Sequence, residues 1–395
     1  MANIYPFTGT VQHYAWGGYE YLPEFLHREN QGREPWAELW MGAHEKGPAR
    51  LRDEARTLDK LIEEAPSQVL GPKVAKRFAE RLPFLFKVLD VREMLSIQVH
   101  PTKEAAERGF AAEEKSGPAR DAPDRNYRDD NHKPELGVAL SDFYLLHGFQ
   151  GQQAIRHTLE QVPGWDELLP ILEQDGVKGL YAHVMNADQP TVNRLLEPLY
   201  RSLEGKQFDR SKPAFWAQRA FEQYTKDGNY DRGVFSVYWF NLVHLQPGEG
   251  IFQDAGIPHA YLEGACLELM ANSDNVLRGG LTPKHIDVPE LMKHTRFEEV
   301  LPDKLRPEWD ADGWSRYPTP APDFELSFRD FGAGDTLALT TAEGPAILLL
   351  LRGTARVGDT TELTEKHRTA FVPAGQTLAL SAKGNGRIFR ATVGR

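Results

Sequence analysis

The order of hydrophobic periodicities most constrains what this chain can fold into: strand-like runs, then a helical block, then strand-like runs again. Up to about residue 146, short apolar runs such as Phe84-Leu85-Phe86-Lys87-Val88-Leu89 and Leu95-Ser96-Ile97-Gln98-Val99-His100 are bounded by turn residues, the pattern of β-strands. Between roughly 150 and 230 the period changes. Residues 154–159, 191–196 and 215–221 show helical spacing and few β signals, which predicts a helical insertion. Strand signals resume after Gly233 with Val234-Phe235-Ser236-Val237-Tyr238-Trp239-Phe240 and residues 241–245, followed by a turn at Gln246-Pro247-Gly248-Glu249-Gly250. Short helices are expected near 289–293 and 297–300, and the Pro-rich stretch 317–322 reads as an extended crossing. From about residue 323, short strands at 346–351, 354–357, 369–372, 377–380 and 387–392 alternate with Gly turns, as in a sandwich or barrel of the jelly-roll kind.

Length and charge narrow the class. A chain of 395 residues exceeds one ordinary core, so two or three domains are expected. With 41% hydrophobic and 26% charged residues it has a globular rather than a disordered composition. The net charge of −11 argues against a nucleic-acid partner, which calls for a basic excess. It still allows an anionic small molecule gripped by a few local Lys and Arg. Cys266 is the one cysteine, so no disulfide can close within the chain, which fits a reducing cytoplasm. Met1-Ala2-Asn3-Ile4-Tyr5-Pro6 lacks the basic and apolar regions of a signal peptide, and the apolar run 346–351 is too short to span a bilayer. A cytoplasmic protein with no membrane partner is expected, acting as a monomer.

Chemistry concentrates in the nonapeptide Tyr127-Arg128-Asp129-Asp130-Asn131-His132-Lys133-Pro134-Glu135. Such a density of titratable groups is costly to bury, so it forms either a solvated loop or a site. Gln98 and His100 lie two apart in the expected strand 95–100, which puts both side chains on one face with Ser96. Alone, that is a strand with one polar face. Gly256-Ile257-Pro258-His259-Ala260-Tyr261 is a turn delivering a histidine into a following strand. Together Gln98, His100, Glu135 and His259 offer two imidazoles, a carboxylate and an amide oxygen, ligand types that suit zinc or another borderline divalent metal. A single cysteine excludes a thiolate-rich structural zinc site. The stretch from Leu267 through Ser273-Asp274-Asn275 to Arg278-Gly279-Gly280 reads either as a hairpin loop with surface charges or as an arginine able to grip an anion in a forked geometry.

These motifs carry a resemblance to the type I phosphomannose isomerases, zinc enzymes of the cupin superfamily. Residues 127–135 fit the family's Tyr-x-Asp-x-Asn-His-Lys-Pro-Glu pattern throughout. The stretch from His259-Ala260-Tyr261-Leu262 to Arg278 and Thr282-Pro283-Lys284 also fits, except that Gly279 stands where the family usually has alanine. With Gln98-Val99-His100-Pro101 and the turn Ala15-Trp16-Gly17-Gly18, the resemblance spans most of the chain. It implies a mainly β fold of cupin-type jelly rolls: a metal-bearing domain from 1–146 plus 233–300, a helical insertion at 150–230, and a C-terminal cupin-like domain at 301–395. It further implies one Zn²⁺ held by Gln98, His100, Glu135 and His259, a catalytic Arg278, and substrate contacts at Lys87 and Lys133. Asp274, His132, Ser96, Glu268, Tyr261 and Trp16 follow as further pocket members. The implied partner is a small sugar phosphate.

The implied reaction interconverts mannose 6-phosphate and fructose 6-phosphate, moving a proton between C2 and C1 through a cis-enediol after the ring opens. Zinc suits the developing enediolate as a Lewis acid, and Arg278 as counter-charge. For the base, Lys133, His132, Asp274 and zinc-bound hydroxide are all open, with Lys133 assisted by Asp274 preferred. Ser96 and Lys87 are the expected phosphate contacts. The competing readings are a cupin metalloenzyme acting on another sugar or sugar phosphate, and a non-catalytic sugar-binding cupin.

Overall fold

A computed structural model describes residues 4–310 and 312–394; Met1, Ala2 and Asn3 of the N-terminal segment read above lie outside the described residues. Side-chain alternation accounts for its layers. The strand Ala346–Arg352 has no polar face because both faces are covered: Ile347 and Leu349 enter one core, Leu348 and Leu350 another. It sits in an eight-stranded sheet ordered Glu308–Trp309, Ser315–Tyr317, Glu325–Phe331, Gly386–Thr392, Ala346–Arg352, Thr369–Val372, Tyr5–Thr8 and Arg50–Leu51. A four-stranded sheet covers one side through Leu337, Val357 and Leu380. A ten-stranded sheet covers the other.

That ten-stranded sheet is organised by the 13-residue strand His259–Ala271, which pairs antiparallel with Phe84–Val91, Gln98–Val99, Glu135–Ala139 and Phe143–Phe149. In its C-terminal half, Leu267 and Leu269 share a core with Phe86, Val88, Leu136 and Val138 and with Ile347, Leu349 and Phe371 of the eight-stranded sheet. Glu268 and Met270 alternate to the opposite face, where Lys87 and Glu135 are their cross-strand partners. A register shift between Tyr261 and Glu263, followed by Gly264 at φ 121°, then bends the strand. Its N-terminal half thereby closes over the same interior, where Leu89, Phe143, Leu145, Tyr261 and Cys266 pack together.

Ala260 and Leu262 face outward onto a helical block. The block comprises Gln152–Gln161, Leu169–Asn186, Gln189–Leu203 and Pro213–Tyr224, and it extends to Gly233–Trp239. This last helix corrects the sequence reading of 234–240 as a strand. Val234, Phe235, Val237 and Trp239 are all buried in one cluster with Trp165, Trp216 and Phe221, so the run is apolar around its whole circumference. A run without a polar face carries no period that separates helix from strand.

Three smaller differences have equally local causes. The ladder expected over 95–100 covers only Gln98–Val99, where it pairs with the two-residue strand Leu277–Arg278. A helix forms at Val288–His294, but 297–300 is irregular, with Phe297 held against Phe149 and Tyr181. Tyr5–Thr8 pairs with Thr369, Ala370 and Phe371, so the N-terminal strand lies in the sheet of the C-terminal part. Among the described residues no helix is long and apolar enough to cross a membrane.

Leu269 is fully buried where the eight- and ten-stranded sheets meet. Leu269→Ala is expected to cost about 2–5 kcal/mol, read as a lower urea midpoint at unchanged slope. A midpoint equal to that of the parent would mean that the two sheets do not depend on this core.

Candidate active site

His100, Glu135 and His259 converge in the interior, with one ligand atom from each within 4.8 Å of the others. His100 Nε2 lies 3.4 Å from Glu135 Oε1, and His259 Nε2 lies 3.3 Å from Glu135 Oε2. The backbone sets both tautomers. His100 Nδ1–H donates to the Asn275 carbonyl at 2.8 Å, and His259 Nδ1–H donates to that of Ile257 at 2.9 Å. Each ring therefore presents its Nε2 lone pair inward, the orientation that a metal-ligating imidazole needs. Buried His100 Nε2 has no hydrogen-bond partner, and two imidazole nitrogens with a carboxylate are borderline-metal ligands, so these residues fit a zinc ion. Gln98 is the cross-strand partner of both His259 and Arg278, which brings the fourth expected ligand to the same edge.

Charge compensation holds this interior together. Burial alone would raise the Glu135 carboxyl, but Lys133 and then His100 hold it well below its usual range. Lys133 Nζ forms an ion pair with Glu135 Oε1 at 2.9 Å. Burial, and next Lys133, push His100 down to about 4. One step along the sheet, Lys87 Nζ lies 2.8 Å from Glu268 and 3.4 Å from Glu38, and 5.5 Å from the centroid of the Trp40 ring. Burial lowers the Lys87 ammonium, but Glu268 and Glu38 outweigh it and hold the group above its ordinary value. Burial raises the Glu268 carboxyl, despite the opposing pull of Lys87. Glu38, absent from the expected site residues, could have been found only through its partner. It is remote from Glu268 in sequence but only two ladders away in space.

The wall of the interior is aromatic. Trp16 packs against the cluster that holds Tyr261 and stacks on Tyr14 at 5.9 Å, and the buried Tyr261 hydroxyl faces Glu268 and Glu135. Ser96 lies two residues before Gln98 and is half-buried.

Two expected site residues are engaged by charged partners of their own. Asp274 Oδ1 lies 3.5 Å from His44 Nε2, and its Oδ2 pairs with Lys46. It lines a cleft of about 500 Å³ with His44, Arg128 and Asp129, none of them in the His–Glu–His set. His132 Nε2 lies 2.8 Å from Asp323, on the segment leading into Glu325–Phe331. Both residues hold loops around the site.

The charged nonapeptide contains its own clasp. Asp129 accepts from Ser273 Oγ, Asp274 N and Asn131 N at 2.8, 2.7 and 2.9 Å. Fully buried Asn275 accepts from Arg128 N at 2.7 Å and donates to the carbonyls of Asp129 and Asn131 at 2.8 and 2.9 Å. The backbone carbonyl of the same Asn275 orients His100, so the clasp and the His–Glu–His set are one hydrogen-bonded unit.

Arg278 is different in kind. Among the described residues no carboxylate lies within ion-pairing reach of Arg278 or Lys284. Burial, and next Arg128, lower the Arg278 guanidinium; burial, and next Arg278 and Arg128, lower the Lys284 ammonium. Mutual repulsion among three cations is relieved by an anion.

The comparisons with known proteins agree with this geometry. The model of phosphomannose isomerase type I, catalytic domain, matches residues 4–152. The mannose-6-phosphate isomerase of Escherichia coli (strain K12) is 39% identical over 391 residues, covering 96% of this chain and 97% of that protein. The chain belongs to the type I phosphomannose isomerase family. A mouse relative named mannose-6-phosphate isomerase is 35% identical over 384 residues, covering 89% of this chain and 88% of its own length. The apo form of the enzyme from Salmonella typhimurium superposes with a TM-score of 0.89 at 37% identity, over 100% of both chains. A zinc-bound holo form of mannose 6-phosphate isomerase gives 0.88 at 36%, again over 100% of both. The mainly β fold with a helical insertion and cupin-type sheets, expected from the family resemblance, is borne out.

The departure from the family at Gly279 has a local cause. A methyl group there would lie 2.8 Å from the Tyr181 hydroxyl and 2.9 Å from Ile97 Cγ2. Gly279→Ala is expected to cost about 1–3 kcal/mol in denaturant unfolding, and Tyr181→Phe in the same chain to recover part of it. Equal stability of Gly279→Ala and the parent would sink this account.

Proposed function

We propose that this chain is a zinc-dependent mannose-6-phosphate isomerase that passes through a cis-enediol. The observation that carries the reading is the meeting, at the Gln98 strand edge, of a His–Glu–His ligand set and cations without a carboxylate partner. A zinc ion held by His100, Glu135 and His259, with Gln98 beside them, would supply Lewis-acid support for the charge that develops on the sugar oxygens.

The remaining roles fall to side chains. Arg278, Lys284 and Arg128 bind the phosphate dianion, with the Ser96 hydroxyl adding a contact at the same rim. Lys87, expected from the sequence to hold the phosphate, is instead engaged by Glu268 and Glu38. Glu268 moves the proton between C2 and C1. Burial raises its carboxyl toward the range in which it can accept and return a proton, and Lys87 provides the counter-charge when it is ionised. Lys133, the base preferred from sequence, is already ion-paired with Glu135 and orients substrate oxygens beside the ligand set. Trp16, Tyr14 and Tyr261 wall the sugar.

A coupled assay of mannose 6-phosphate to fructose 6-phosphate is expected to show turnover that disappears on verified chelation and returns with zinc. Absence of turnover in the zinc-replete protein defeats the function, and activity that survives verified metal removal defeats the zinc requirement. The proton assignment is tested by solvent-tritium exchange at C2. Glu268→Gln is expected to lower exchange about a hundredfold to ten-thousandfold, while Lys133→Ala still exchanges. Parent-like exchange in Glu268→Gln moves the base elsewhere.

A further inference from the structure

The segment after Arg278 is held in an unusual conformation by a residue of the helical block. Gly280 has φ 123° and Leu281, which carries a side chain, has φ 52°. A left-handed leucine persists only where surrounding contacts dictate it. Those contacts come from Asp231, in the connection between helices Pro213–Tyr224 and Gly233–Trp239. Asp231 Oδ1 accepts from Gly233 N and Leu281 N, each at 2.7 Å, and Oδ2 accepts from Thr282 N at 3.1 Å. The approach leaves no room for side chains: a Cβ on Gly233 would lie 2.4 Å from Leu281 N, and one on Gly280 would lie 2.5 Å from Gly233 Cα. On its other side the segment is tied to the site strand, through Gly279 N to Ile97 O at 2.9 Å and Ile97 N to Gly280 O at 3.0 Å. Burial raises the Asp231 carboxyl, and the three backbone N–H donors counter it.

Arg278 precedes this clasp and Lys284 follows it, so the two cations enter and leave a segment whose path Asp231 dictates. Among the described residues neither cation has a carboxylate partner to hold it in place. We infer that Asp231 is a positioning residue for the Arg278–Lys284 anion site, and that through it the helical block acts on substrate affinity. The inference rests on the phosphate-binding role proposed above for those two cations.

The test is a double-substitution cycle on the zinc-replete full chain, using Asp231→Asn, Arg278→Ala and the double variant. The asparagine keeps an oxygen for Gly233 N and Leu281 N and places an amide against Thr282 N, so it perturbs the clasp without emptying it. Asp231→Asn is expected to raise both KM for mannose 6-phosphate and the inhibition constant of inorganic phosphate about tenfold, with kcat changed less and zinc content unchanged. In the Arg278→Ala background the same change is expected to add no more than about twofold. Full multiplication of the two losses would overturn the inference. So would a parent-like KM in Asp231→Asn, including one that accompanies a lowered melting temperature, since that would mark a purely structural aspartate. If Asp231→Asn fails to fold, the change is read in a Leu281→Gly background, where glycine accepts φ 52°: phosphate affinity about tenfold weaker than in Leu281→Gly alone supports the clasp, and affinity equal to that of Leu281→Gly overturns it. Failure of the phosphate reading is separately visible, because Arg278→Ala would then leave phosphate inhibition unchanged.

Discussion

The strand His259–Ala271 must be satisfied on two incompatible faces, and the rest of the structure follows from how that is done. One face, with Leu267 and Leu269, is sealed by the eight-stranded sheet. The alternate face carries Glu268, beside Glu135 of the neighbouring strand, into an interior where water is scarce. A desolvated carboxylate is tolerated only when hydrogen-bonded or paired. Lys87 answers Glu268, while Lys133 and the two imidazoles answer Glu135. The same alternation that builds the hydrophobic core thus concentrates the titratable groups, and the bend at Gly264 folds them toward one another.

Against that background of matched charges, the rim formed by Arg278, Lys284 and Arg128 stands out as unmatched. A protein with net charge −11 keeps three cations together without a carboxylate between two of them only at some electrostatic cost. The cost is relieved when an anion arrives.

Much of this was legible in the sequence, for reasons that can be named. Metal-ligand chemistry draws on few residue types, so Gln98, His100, Glu135 and His259 stood out even before the fold was known. Strands with one polar face announced themselves through their period. What stayed illegible was of two kinds. The helix Gly233–Trp239 is buried all round and so has no polar face to betray its period. Asp129, Asn275 and Asp231 look like ordinary turn residues, because their partners are remote: Asp231 lies 50 positions from Leu281, and Asn275 lies 147 from Arg128. Glu38 was hidden in the same way, since its role depends on Lys87 in a neighbouring strand. Residue type predicts chemistry well when the chemistry is rare, and poorly when the residue is a common turn former used for a long-range bond.

The pairing of Tyr5–Thr8 with Thr369, Ala370 and Phe371 has a consequence for biosynthesis. Tyr5–Thr8 meets these partners only after the intervening strands of the ten-stranded sheet have been translated, and Gly386–Thr392 joins the same eight-stranded sheet later still. Throughout elongation the apolar back of the site sheet lacks its cover. His100, Glu135 and His259 therefore gain the support of the second sheet only after strands that follow them in sequence have been made.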